Sequence, residues 1–156
     1  MRKQTYWRML LAAFFLLMLA GGTAQAAIDP ATAQKLMASD GAVEDHFGRS
    51  IAISGDTAVI GADGDDDNGI DSGSAYVFVR ATDGTWTQQA KLLALDGAAG
   101  DHFGFSVAVS GDTAVIGAYG DDDTGIDSGS VYVFGRAADG TWSQQVKVPA
   151  LDGAAG

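Results

Sequence analysis

The sequence predicts an all-β fold built from two copies of one four-stranded antiparallel unit. Three observations lead there. Asp45–Gly100 and Asp101–Gly156 align without a gap at a spacing of 56 residues, and 44 of those positions agree. Inside each copy, short β-rich runs follow one another, separated by glycine-containing turns. Four such runs per repeat of this length describe a β-propeller blade, a unit that cannot bury its apolar faces alone and must stack on neighbours.

The elements follow in chain order. Arg2, Lys3 and Arg8 form a basic head, Met9–Ala20 an apolar run, and Ala24-Gln25-Ala26 a small-residue cleavage pattern, which together read as a signal peptide over residues 1–26. The run is shorter than the roughly 20 residues of a membrane span, so no stable membrane insertion is expected after cleavage. The exported chain is expected at the cell surface, in the periplasm or in the medium. Residues 27–44 are a lead-in. Its Ala38-Ser39-Asp40-Gly41-Ala42 aligns with Ala94–Ala98, the tail of a unit, and by the same alignment Leu36-Met37-Ala38 is expected as a strand.

Unit one, 45–100, opens on Asp45-His46-Phe47-Gly48. Ser50–Ser54 and Thr57–Ala62 form strands joined by Gly55-Asp56, a two-residue connection that needs the positive φ glycine supplies. Ser74–Arg80 is the third strand. Ala81-Thr82-Asp83-Gly84 turns the chain, and Thr85–Leu92 is the fourth. Unit two, 101–156, repeats this pattern, with its strands expected between Ser106 and Val148.

Composition narrows the function classes. All 20 acidic residues lie beyond Ala26, and three of the nine basic ones precede it, leaving a mature charge of about −14. Such a surface repels nucleic acid and anionic lipid, so no nucleic-acid partner is expected. It favours divalent cations and basic partners. The chain has no cysteine, so packing, with or without metal, must supply what disulfides give other exported proteins.

The Asp-x-Phe-Gly opening, the hairpin ending in Gly61-Ala62 or Gly117-Ala118, the acidic loop and the Gly-Ser-x-Tyr-Val-Phe strand resemble the FG-GAP repeat. That repeat builds the propeller of integrin α-subunits and occurs in bacterial secreted proteins. The resemblance covers Asp40 to Gly156. Asp63 and Tyr119 stand where the family usually has proline.

Asp63, Asp65, Asp67 and Asp71 occupy loop positions one, three, five and nine. Alternate residues of a curled loop that point inward can surround calcium, which takes 6–8 oxygens. The resemblance implies a backbone carbonyl at position seven, here Gly69. In the second loop Tyr119 replaces the first carboxylate, leaving Asp121, Asp123 and Asp127, with Gly125 in the carbonyl position. The other reading is a pair of solvated turns rich in Asp, Asn and Gly for local geometry alone.

Little else suggests chemistry. Asp45-His46 and Asp101-His102 recur in both units, which favours a scaffold role. There is no G-x-S-x-G elbow, phosphate-binding loop or Cys/His cluster, so catalysis is not expected. Phe47, Phe103, Trp86, Trp142, Tyr76 and Tyr132 are expected in the core. Two blades do not close a ring of about 4–8. Three explanations stand open: a piece of a longer propeller, a short protomer whose copies assemble, or a gene remnant that folds poorly.

The expectation is an exported, non-enzymatic propeller module that binds a protein or glycan partner. It would present blade loops on one face, with calcium stiffening loops on the other. The alternative is the accessory propeller of a larger secreted enzyme. Self-association to complete a ring is a third possibility.

Overall fold

A computed structural model describes residues 33–150. The leader at 1–26, the start of the lead-in (27–32) and the tail at 151–156 lie outside the described residues. The eight strands are β1 (Ser50–Ser54), β2 (Thr57–Ala62), β3 (Ser74–Arg80), β4 (Trp86–Leu92), β5 (Phe103–Ser110), β6 (Thr113–Ala118), β7 (Ser130–Arg136) and β8 (Trp142–Pro149). They form two meanders, β1-β2-β3-β4 and β5-β6-β7-β8, all neighbours antiparallel. The described residues contain no helix. All eight strands fall in one unit beginning at Gln34. Gly55 and Gly111 take φ of +58° and +56° in the expected hairpins.

Two boundaries differ from the sequence reading. Leu36-Met37-Ala38 is not a strand. It has no ladder, and Leu36 and Ala38 pack instead on the apolar cluster of the first blade. β5 starts at Phe103 rather than Ser106, because Phe103 pairs with Ala118 of β6 across a bulge, and it also bridges in parallel to Gly73 of the first blade.

The second blade stacks on the first through its opening segment. His102 N–H donates to the Asp71 carbonyl and Phe103 N–H to the Ser72 carbonyl, both at 3.0 Å. Phe103 is fully buried between sheets. On its own blade it meets Tyr132 and Phe134 edge-on, and the same cluster holds Val59, Ala75, Val77, Leu92 and Ala94 of the first blade. At Gly61 the approach is so close that a Cβ would fall on the Gly104 carbonyl oxygen. Side chains fill one gap, and bare backbone closes the other.

Identical strands report this asymmetry. β2 and β6 both read Thr-Ala-Val-Ile-Gly-Ala, yet β2 is buried at every residue and β6 at alternate ones. A strand covered on both faces loses its alternation, whereas one covered on a single face keeps it.

Candidate functional site

Each acidic loop is closed by a lysine from the last strand of its own blade. Lys91 Nζ lies 2.8 Å from Asp65, 2.7 Å from Asp67 and 2.9 Å from Asp40 of the lead-in. Lys147 Nζ lies 2.6 Å from both Asp121 and Asp123, and 2.8 Å from Asp96 in the connector between the blades. Below each ammonium sits a tyrosine ring, Tyr76 or Tyr132, at 5.3 Å. The Tyr76 hydroxyl lies 3.0 Å from a carboxylate oxygen of Asp65 and of Asp40, which share its single proton. Tyr132 donates to Asp121 at 2.8 Å.

A bulge aims these lysines. In β3–β4 the register jumps between Val77, opposite Ala90, and Phe78, opposite Gln88, leaving Gln89 unpaired. A regular ladder continued from Phe78↔Gln88 would set Ala90 across from Tyr76. The extra residue sets Lys91 there instead. The same jump at Val133/Phe134 sets Lys147 across from Tyr132. Re-aiming a side chain is what a bulge does physically.

Charge and burial fit together. Burial opposes the charge on Lys91, and its hydrogen bonds to Asp65, Asp67 and Asp40 outweigh it, holding the ammonium well above the usual lysine range. Lys147 is held up in the same way, by Asp121, Asp123 and Asp96 against burial. The Lys91 hydrogen bond lowers the Asp40 carboxyl. Asp121 is also lowered: burial pushes it up, but the bonds from Lys147, Tyr132 and Ser130 prevail. Burial pushes both tyrosine hydroxyls upward, so they remain proton donors.

A pH dependence follows. The lowered Asp40 and Asp121 contribute stability that is present above the ordinary aspartate value of 3.8 and lost as pH falls through their folded values. Asp101, raised by burial, opposes them, since its protonation favours the folded chain. The raised lysines contribute stability that is complete below about pH 10.4 and lost only in stronger alkali. Urea titrations across pH should therefore show a neutral plateau with loss below about pH 4. A stability maximum in acid would contradict this.

The residues expected to hold calcium are not brought together as one set. Asp65 and Asp67, like Asp121 and Asp123, converge on the lysine. Asp63 is turned away, its Oδ2 3.4 Å from Arg49 Nε and its Oδ1 3.5 Å from His46 Nδ1. Gly69 and Gly125 spend their carbonyls on the amides of Ser72 and Ser128. Asp71 and Asp127 take φ of +55° and +51°, and their amides donate to Asp66 and Asp122. As folded, the donors do not fit calcium. The point where three carboxylates converge already holds a positive charge, and a divalent ion there would sit against an ammonium.

In the Asp-His pairs each aspartate bonds a backbone amide. Asp45 caps the Ala42 amide at 2.6 Å, and Asp101 caps the Ala98 amide at 2.8 Å. His102 Nδ1 lies 3.2 Å from the Asp63 carbonyl, which can only accept, so the proton resides on that nitrogen. Its ring stacks on Tyr119 with centroids 4.8 Å apart. The aspartate is thus a turn cap, and His102 is a tie between blades.

Sequence reasoning missed Lys91, Lys147, Asp40 and Asp96. One signal was available: four of only six basic residues beyond Ala26 pair at equivalent positions of the two units in an acidic chain, and Lys91 and Lys147 are the lysine pair.

Stacked four-stranded antiparallel meanders, the second entered by a buried phenylalanine and a glycine pressed against the backbone of the first, are blades of a partial β-propeller. The FG-GAP repeat model matches residues 31–78 and 86–134, and the chain belongs to that family. The second match runs from the last strand of one blade into the third strand of the next. No curated protein matches the chain.

Proposed function

We propose that this chain is an exported, non-enzymatic propeller module that binds a protein or glycan partner through the loops at one end of its blades. The observation that carries this reading is a recurring exposed aliphatic residue on each acidic loop. Ile70 and Ile126 are 73% and 72% exposed, and Leu95 on the neighbouring connector is 84% exposed. The connector and the first loop share an end of the blade, since Gly100 N–H donates to the Ile70 carbonyl and Asn68 to the Ala94 carbonyl.

A loop that holds its shape loses less entropy on binding. The lysine-centred clusters give these loops that shape, and in this proposal lysine rather than calcium supplies the cation. The titratable residues that recur are engaged in caps, ion pairs and blade contacts, which favours a scaffold over a catalyst. The partner face in this proposal is the acidic-loop end.

The test is binding of the purified chain to glycan and extracellular-protein arrays, repeated with Ile70→Asp/Ile126→Asp. The expected result is saturable binding without turnover, weakened at least about tenfold by the double change, or about 1.4 kcal/mol, with the melting temperature preserved. Turnover of chromogenic glycosides, esters or phosphates would support the accessory-enzyme alternative and overturn this reading. So would binding indifferent to both substitutions.

A further inference from the structure

We propose that the uncovered face of the second blade is a socket for the Asp45–Arg49 segment of a second copy of this chain. The blade-to-blade contact inside the chain shows what such a face receives. On the first blade, Gly61 is pressed by the Gly104 carbonyl, and Ser50 Oγ donates to that same oxygen at 2.8 Å. On the second blade, a Cβ at Gly117 would meet only Ser106 atoms, its hydroxyl foremost. The side chains around it are open: Tyr119 is 48% exposed, Val131 40% and Val148 52%, whereas Ala75 and Leu92, at the positions of Val131 and Val148, are buried.

The matching plug stands at the other end of the described chain. His46 and Gly48 take φ of +57° and +97°, close to +55° and +89° at His102 and Gly104. The segment already has the shape that docks, and on docking Leu36 and Ala38, which cover the first blade at the repeat positions of Leu92 and Ala94, give way to Val148 and Ala150 of the other copy. Phe103 is fully buried, while Phe47 is only partly so, and the His46 side chain is 62% exposed.

Side-chain pairing selects a second copy as the occupant. Within the chain, the Arg49 guanidinium lies 4.6 Å over the Phe105 ring, and these two residues occupy the same repeat position. A head-to-tail copy would bring a new Arg49 to the free side of Phe105, so that arginine and phenylalanine alternate around the assembly. Likewise Gln89 accepts the Trp142 indole N–H at 3.0 Å, and Gln145, its counterpart on the open face, donates its amide nitrogen to Ser143 and would offer its oxygen to a new Trp86. Such contacts are heterologous and close into a ring when the rotation allows. With about 4–8 blades in a propeller, that means about two to four copies.

Gly117→Ala separates this docking from folding. Inside one chain the new methyl meets a movable serine hydroxyl, whereas at the docked face it would strike backbone. Val131→Glu, which places a charge on the same open face, is a second and independent block. Light scattering of the full chain across concentration should give a discrete oligomer of two to four copies. Both variants should reduce it to single-chain mass with circular dichroism and melting of the single chain intact. A wild-type chain that stays monomeric at every concentration would overturn the proposal. So would an oligomer that neither substitution dissociates.

Discussion

Lys147→Met is expected to destabilise the chain by about 3 kcal/mol, the lower end of what removing one partner from a buried ion pair costs. The lower end applies because Asp96 and Asp123 are about half exposed and can recover water, while Asp121 is 3% exposed and cannot. Denaturant midpoints at neutral pH would measure the loss. A second change, Asp121→Asn, should return part of it, since the two residues are coupled. In acid the deficit should shrink, because protonated carboxyls no longer need a counter-charge. The variant should also acquire a response to calcium that the parent lacks: oxygens of Asp96, Asp121 and Asp123 already lie within 4.8 Å of one another, and removing the ammonium leaves them without a cation. Wild-type stability in Lys147→Met would refute the role given to this lysine.

Phe103→Ala should cost about 3–5 kcal/mol, as expected for a buried aromatic whose cavity cannot collapse. The ring is in contact with both sheets, so its loss opens the seam between blades as well as the core of one. Phe47→Ala, at the equivalent position, should cost only about 1–2 kcal/mol, because that ring is partly exposed and packs on Tyr76 and Phe78 of its own blade. Thermal or urea unfolding of the pair measures the difference. Equal costs would mean that the second blade is not held by its phenylalanine.

The two substitutions bear on different parts of what the sequence disclosed. The repeat, the hairpins and the phenylalanine plug were legible, since each is local: a two-residue glycine turn, a β-rich run, a tetrapeptide repeated at a fixed interval. The β2 stretch could be read as a strand from Thr57 to Ala62 because both of its faces are apolar and its ends carry turns. The chemistry of the acidic loop was not legible in the same way. Carboxylate spacing alone suggested a metal, yet a curled loop turns Asp63 and Asp65 to different partners, and only the fold decides which. Lys91 is 26 residues from Asp65 and 51 from Asp40 in sequence. It meets them because a bulge at Gln89 shifts the ladder by one residue, and no local pattern announces that shift. The lead-in shows the converse. Asp40 was recognised as part of a unit tail, but its bond to Lys91 needed the blade to be built first. Leu36–Ala38, read as a strand by alignment, finds no ladder in the described residues and contributes packing instead.

A consequence concerns how blades hold together. Asp40 and Asp96 belong to segments entering a blade, while Lys91 and Lys147 belong to the strand that ends it. Each lysine therefore ties the entry of its blade to its exit and its acidic loop at a single point, which a solvated turn would not do. Arg80–Asp56 and Arg136–Asp112, both at 2.7 Å on exposed hairpins, are of a different kind. Exposed pairs contribute little, so their loss should be mild beside that of the half-buried lysines.

The most direct measurement of the central claim is the melting temperature of the wild-type chain at neutral pH, taken in excess calcium and again in excess chelator. With Lys91 and Lys147 as the cations of the acidic loops, the two melts should coincide. A ligand that binds the folded state raises its stability in proportion to the logarithm of its concentration. A midpoint that climbs with calcium and falls on chelation would therefore mean that a metal, and not the lysine, closes these loops.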